Sequence, residues 1–282
     1  MSDTPAAGAA SDLSTRFVAG IVMAAVALAA VWYGDWPLRA LVAIAAVVMM
    51  IEWCAMHKAA QLWAWIGGAL LVVLLLGGIG YLYSDAMPSL DDDTTLALDP
   101  GDFFVAFYAF AAATGVGVLI AAASRRIAIG WGFVYIAIPA FALLVLSWAY
   151  SGLVFWVMGV TWATDIFAYF AGRAIGGPKL APKISPNKTW AGLIGGMIGA
   201  GLAGWTVAWL FDLGQPFVWI GAPMAIVAQA GDLYESWVKR RASVKDSGAI
   251  LPGHGGVLDR LDGLLAVAIA TFLLLSAGLW TG

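Results

Sequence analysis

Apolar runs about twenty residues long follow one another along this chain with little between them, and that pattern decides the fold class before any motif is read. A helix needs ~20 apolar residues to cross the hydrocarbon core of a bilayer. Nine such runs stand at 17–33, 37–55, 62–83, 103–123, 127–149, 152–172, 190–211, 216–237 and 262–281. A transmembrane β-barrel alternates apolar and polar residues in segments of ~10, whereas these runs are continuous. Composition excludes a soluble domain: 62% of residues are hydrophobic and 11% charged, where about 25% charged is usual. The chain reads as an all-α polytopic membrane protein of about nine transmembrane helices. Its organisation reads as one integral membrane domain, 16–282, after a small polar tail, 1–15, expected to be disordered. No basic region opens the chain, so the tail does not read as a signal peptide. No repeat of fixed period is visible.

Lysine and arginine orient the helices. With the N-terminus in the cytoplasm, 13 of the 14 cations fall on the cytoplasmic side and only Arg39 falls outside. The acidic segment with Asp91, Asp92 and Asp93 then faces away. The expected location is the cell's inner membrane, with the basic connections 173–189 and 238–261 cytoplasmic. The single cysteine, Cys54, sits in an apolar run and reads as a small core residue. Gly192/Gly196 and Gly195/Gly199 form overlapping GxxxG pairs, which suit close packing within one chain or a homodimer. A nucleic-acid partner is not expected.

Four acids interrupt the apolar runs: Glu52, Asp165, Asp232 and Glu235. An ionisable group within a membrane is costly and marks a polar cavity or an ion pair. Glu52, near the end of the second run, is expected to snorkel to the surface. Asp232, Glu235, Ser236 and Lys239 recur at i, i+3, i+4 and i+7, which places them on one helical stripe. The connection that follows mixes five cations (Lys239, Arg240, Arg241, Lys245, Arg260) with Asp246, Asp259 and Asp262 around a Pro-Gly-His-Gly-Gly turn. The positive-inside rule explains the cations but not the carboxylates. Mg²⁺ takes carboxylate oxygens and substrate phosphates, so the mixture suits metal-dependent phosphoryl or nucleotidyl transfer. The other basic connection carries Arg173, Lys179, Lys183 and Lys188 and closes on Ser185-Pro-Asn-Lys188-Thr189, a helix start able to cradle phosphate or simply to be capped.

The run from Ser236 through Lys239-Arg240, Lys245-Asp246, Pro252, His254-Gly255-Gly256 and Asp259-Arg260 to Asp262 resembles the signature of the phosphatidate cytidylyltransferase (CDP-diacylglycerol synthase) family. Asp165 and the Ser-Pro-x-Lys-Thr segment upstream also resemble that family, so the motif-level likeness covers the C-terminal half, about 152–282. The resemblance implies that CTP and phosphatidic acid react to CDP-diacylglycerol and pyrophosphate with Mg²⁺. It implies that Asp232 and Asp259 hold the metal, with Asp246 and Asp262 as further carboxylates and a K⁺ ion as a second cation. Lys239, Lys245 and His254 are then the catalytic candidates. Ser185, Lys188, Thr189, Ser236, Arg240, Arg260 and Asp165 are then the substrate-binding candidates. His254 suits either a proton donor or a loop-ordering residue. The alternatives are a CTP-dependent transferase acting on another lipid phosphate and a cation-coupled transporter using the intramembrane acids.

Overall fold

The computed structural model describes residues 6–85, 100–250 and 255–278. The acidic segment around Asp92 and the candidate His254 lie outside the described residues. In chain order the elements are α1 (Ala6–Tyr33), α2 (Asp35–Met56), α3 (Gln61–Asp85), α4 (Pro100–Ser124), α5 (Ile127–Ala149), α6 (Ser151–Ala174), β1 (Lys179–Ala181), β2 (Ser185–Thr189), α7 (Trp190–Leu210), α8 (Gln215–Trp219), α9 (Gly221–Arg241) and α10 (Leu258–Ser276). Helix α1 takes in residues 6–15 of the polar N-terminal segment. Among the described residues, six helices, α2 to α7, are long and apolar enough to cross a membrane. The other three expected crossings are α1, whose apolar part Val18–Tyr33 is shorter, and α9 and α10, which carry the charged residues of the motif.

Three local features differ from the sequence expectation. The run 216–237 breaks at Ile220 into α8 and α9. Pro223 has no N–H to give the carbonyl four residues back, so an unbroken helix is not available there. The basic connection after α6 is a hairpin rather than a loop: Lys179 pairs with Thr189 and Ala181 with Ser185, antiparallel. Ala181 and Ser185 each precede a proline, which pushes both into extended backbone. The second basic connection is shorter than expected, because α9 runs on to Arg241 and α10 already begins at Leu258. Cations in the last turn of α9 and Asp259 in the first turn of α10 suit the partial charges of those helix ends.

Helix α5 is the central post, packed against α2, α3, α4, α6 and α10, with Phe133, Ile136, Phe141 and Leu146 fully buried. Helices α6 and α7 pack along the glycine pairs. A Cβ at Gly192 would lie 3.0 Å from the Ala168 carbonyl, and one at Gly196 would lie 3.1 Å from the Thr164 carbonyl. The GxxxG faces are thus used inside this chain. Gly231 does the same for α9 and α10: a Cβ there would lie 2.7 Å from the Asp262 carbonyl. That close approach brings Asp232 and Asp262 to one place.

The basic connections gather at one end of the bundle. Arg126 donates to the carbonyls of His57 (3.1 Å) and Lys58 (3.0 Å), which ties the α4–α5 turn to the α2–α3 turn. Lys188 of β2 pairs with Asp232 of α9. The start of α10 is held by Glu52 of α2.

Candidate active site

A polar cleft of about 310 Å³ opens at that end. Its walls are Asp165 from α6, Asp232 and Lys239 from α9, Asp246 from the α9–α10 loop, and Asp259, Arg260 and Asp262 from α10. The stripe read from i, i+3, i+4, i+7 spacing is real, and it points partly into this cleft and partly into a buried ion cluster. Asp232 accepts from Ser236 Oγ at 3.3 Å through one oxygen and pairs with the Lys188 ammonium through the other.

Lys239 stands between two carboxylates, 2.7 Å from Glu235 Oε2 and 2.6 Å from Asp259 Oδ1. The Glu235 side chain is fully buried and that of Lys239 is 11% exposed. One ammonium thus serves two carboxylates, and removing it would leave a buried ion unpaired, which costs several kcal/mol, about 3–5 on loss of one partner. Lys239 is therefore a structural hub of the site rather than a cation at a solvated loop end.

Asp259 is saturated with donors. Besides Lys239 it accepts the backbone N–H of Ser247 (2.9 Å to Oδ2) and of Gly256 (2.9 Å). Burial raises this carboxyl, but the Lys239 ammonium and the two N–H groups outweigh it and hold it below its ordinary range. Asp262, one turn on, accepts from the N–H of Gly263 at 2.7 Å and faces the cleft. Among the described residues no three acidic, histidine or cysteine side chains close around a common point.

The remaining candidates divide. Arg260 is exposed, and Asp246 and Arg260 both line the cleft. Lys245 is exposed on the loop. Arg240 is exposed and turned toward the Val244 carbonyl, at 3.2 Å. Ser185 sits in β2, opposite Ala181. Thr189 is buried, and its hydroxyl oxygen caps α7 by accepting from Gly192 N–H at 3.0 Å. That is the ordinary capped-helix outcome, with one of its oxygen lone pairs committed to the cap.

Glu52 is the residue that sequence reasoning misplaced. It does not snorkel: it is 2% exposed and accepts from Val257 N–H (2.9 Å), Leu258 N–H (2.9 Å) and Ser247 Oγ (3.2 Å). The only trace in the sequence was a carboxylate inside an apolar run; its partners lie some two hundred residues away.

Comparison with known proteins places the chain in a family. A model of the cytidylyltransferase family matches residues 14–277. A phosphatidate cytidylyltransferase of Brucella abortus biovar 1 (strain 9-941) is 37% identical, the match covering 93% of this chain and 93% of that protein. One of Rickettsia bellii (strain RML369-C) is 40% identical over 51% of this chain and 67% of its own length. One of Rickettsia typhi (strain ATCC VR-144 / Wilmington) is 41% identical over 50% and 67%. With the family match spanning nearly the whole chain, and the cleft built where the motif falls, this chain belongs to the cytidylyltransferase family.

Proposed function

We propose that this protein transfers the cytidylyl group of CTP to phosphatidate, giving CDP-diacylglycerol and pyrophosphate for phospholipid synthesis. The observation that carries the reading is the origin of the cleft: five of its seven wall residues, Lys239, Asp246, Asp259, Arg260 and Asp262, belong to the motif at 236–262. The relatives matched over most of this chain carry the same activity in their names. The family match does not favour a cation-coupled transporter.

In the reaction a phosphate oxygen of phosphatidate forms a bond to the α-phosphorus of CTP. The bond from that phosphorus to the bridging oxygen breaks, and pyrophosphate leaves with the electron pair. The nucleophile is already ionised, so the protein needs no strong base. Its task is to hold two polyanions together and in line. Five carboxylates against two cations on the cleft wall repel polyanions, so the site calls for added positive charge. The donor set fits Mg²⁺, a hard cation that prefers carboxylate and phosphate oxygen. Asp232 and Asp262, with Asp165 facing them, present carboxylates to the cleft. Asp259, implied as a ligand by the resemblance, reaches a metal only by giving up part of its hold on Lys239 or the loop. When bound, Mg²⁺ neutralises phosphate charge and polarises the phosphoryl oxygens. K⁺ stays in the proposal as a second ion without an assigned ligand. Lys188 and Arg260 flank the same space and take the phosphate groups, Lys188 by exchanging its pairing with Asp232 for a phosphate oxygen.

The site is assigned to the cytoplasmic face of the inner membrane, in a nine-span, N-in arrangement. The 13-to-1 distribution of cations supports it. So does the gathering of the basic connections at one end of the bundle. Purified protein in nanodiscs, given CTP and phosphatidate, should release pyrophosphate and form CDP-diacylglycerol. EDTA should abolish this and Mg²⁺ restore it. Turnover with a polyprenyl or ether-lipid phosphate but not with phosphatidate would replace the substrate. Full activity in EDTA would remove the metal.

A further inference from the structure

We propose that Glu52, in the N-terminal half of the chain, is a positioning residue for this transfer: it fastens the neck of the α9–α10 loop and thereby sets where Asp259, Arg260 and Asp262 stand. The proposal rests on the reaction assigned above. Glu52 does not line the cleft, so it acts through the loop and not on the substrate.

The first N–H groups of a helix have no partner inside it. Val257, at the N-cap position of α10, has no side chain able to accept from them. Glu52 fills that place from α2, taking the N–H of Val257 and of Leu258, each at 2.9 Å. Its negative charge also suits the positive helix end. The same carboxylate accepts from Ser247 Oγ at 3.2 Å, on the far side of the loop. Asp259 makes the matching pair of bonds, to Ser247 N–H and Gly256 N–H. Ser247 on one side of the loop is thus tied to Gly256–Leu258 on the other through a neck that carries two carboxylates, one from each half of the chain. The neck is packed to fit Glu52: a Cβ at Gly248 would lie 2.7 Å from Oε1, and one at Gly256 would lie 2.7 Å from Oε2. A buried carboxylate with three donors and two glycines shaped around it holds a local geometry, and misplacement of a catalytic group by ~1 Å costs on the order of 100-fold in rate.

The test uses the full-length protein in nanodiscs. Glu52→Gln keeps the shape but offers one accepting oxygen instead of two. It should lower kcat by about tenfold or more, leave KM for CTP within about twofold, and leave the thermal midpoint near that of the wild type. Amide hydrogen exchange at Val257 and Leu258 should quicken, with α5 amides unchanged. Glu52→Asp, which keeps the charge, should recover part of kcat. If Glu52→Gln does not fold, Gly256→Ala is read instead, because it wedges the same neck while leaving Glu52 in place; the same signature is expected. Wild-type kcat in either folded variant, a kcat loss with unaltered exchange at Val257 and Leu258, or failure of both variants to fold would overturn the proposal. Wild-type pyrophosphate release is measured first. Its absence strikes the assigned reaction, while the exchange data still report on the clamp.

Discussion

Lys239, between Glu235 and Asp259, and Lys188, against Asp232, are both ion-paired, but their partners differ in burial. Lys239→Ala leaves the fully buried Glu235 unmatched. We expect a loss of about 3–5 kcal/mol of stability, seen as a lowered thermal midpoint and poor yield. Lys188→Ala leaves Asp232, whose side chain is 30% exposed and reachable by water. We expect a near-normal midpoint with weakened phosphate binding, seen as a raised KM. A normal KM in folded Lys188→Ala protein would remove that lysine from the binding set. The two aspartates separate in the same way. Asp232→Asn should cut turnover at least about 100-fold with little change in stability, since it removes charge from the cleft wall. Asp259→Asn should cut turnover and also loosen the loop, because the amide group turns donors toward the Lys239, Ser247 or Gly256 donors. The carboxyl of Asp259 lies below its ordinary range in the folded state. Its stabilisation is therefore present above the unfolded value of about 3.9 and is lost as pH falls through the lower folded value. Protease cutting of the α9–α10 loop should rise in acid in the wild type and be raised already at neutral pH in Asp259→Asn.

Helices α6 and α7 carry the hairpin between them, so the fit of their faces fixes where Lys188 stands. Gly196→Val puts branched carbon against the Thr164 carbonyl, where even a Cβ would lie 3.1 Å away. Overpacking of this kind costs about 1–3 kcal/mol. We expect a lower thermal midpoint and reduced activity, because the hairpin moves with the helices. Gly115→Ala on α4 meets no atom within 4 Å and should leave both unchanged. Equal effects of the two substitutions would show that the α6–α7 contact does not govern the site. The GxxxG spacing was visible in the sequence, but which helix it met was not, because small-residue faces serve intrachain and interchain packing alike.

The molecule is a helical bundle whose basic connections meet at one end. Reporter fusions at Asp92 and at Ala249 should fall on opposite sides of the membrane. Finding both on one side would refute the nine-span, N-in arrangement. Apolar length alone was enough for the helical membrane class, since backbone groups in lipid must be satisfied within each helix. The i, i+3, i+7 spacing was enough to place Asp232, Glu235 and Lys239 on one stripe, because helical period is a local property. The mixed charge of 238–261 pointed to the segment that supplies most of the cleft wall. Charge and spacing in one segment did not say which residues face substrate and which face each other. Lys239 turned inward to Glu235 and Asp259, and Thr189 spent its oxygen on a cap. Nor did they reveal that Glu52 closes the neck of a loop some two hundred residues away. Those partners are chosen by packing between distant helices. A carboxylate in an apolar run says only that it needs donors, and the fold decides whose they are.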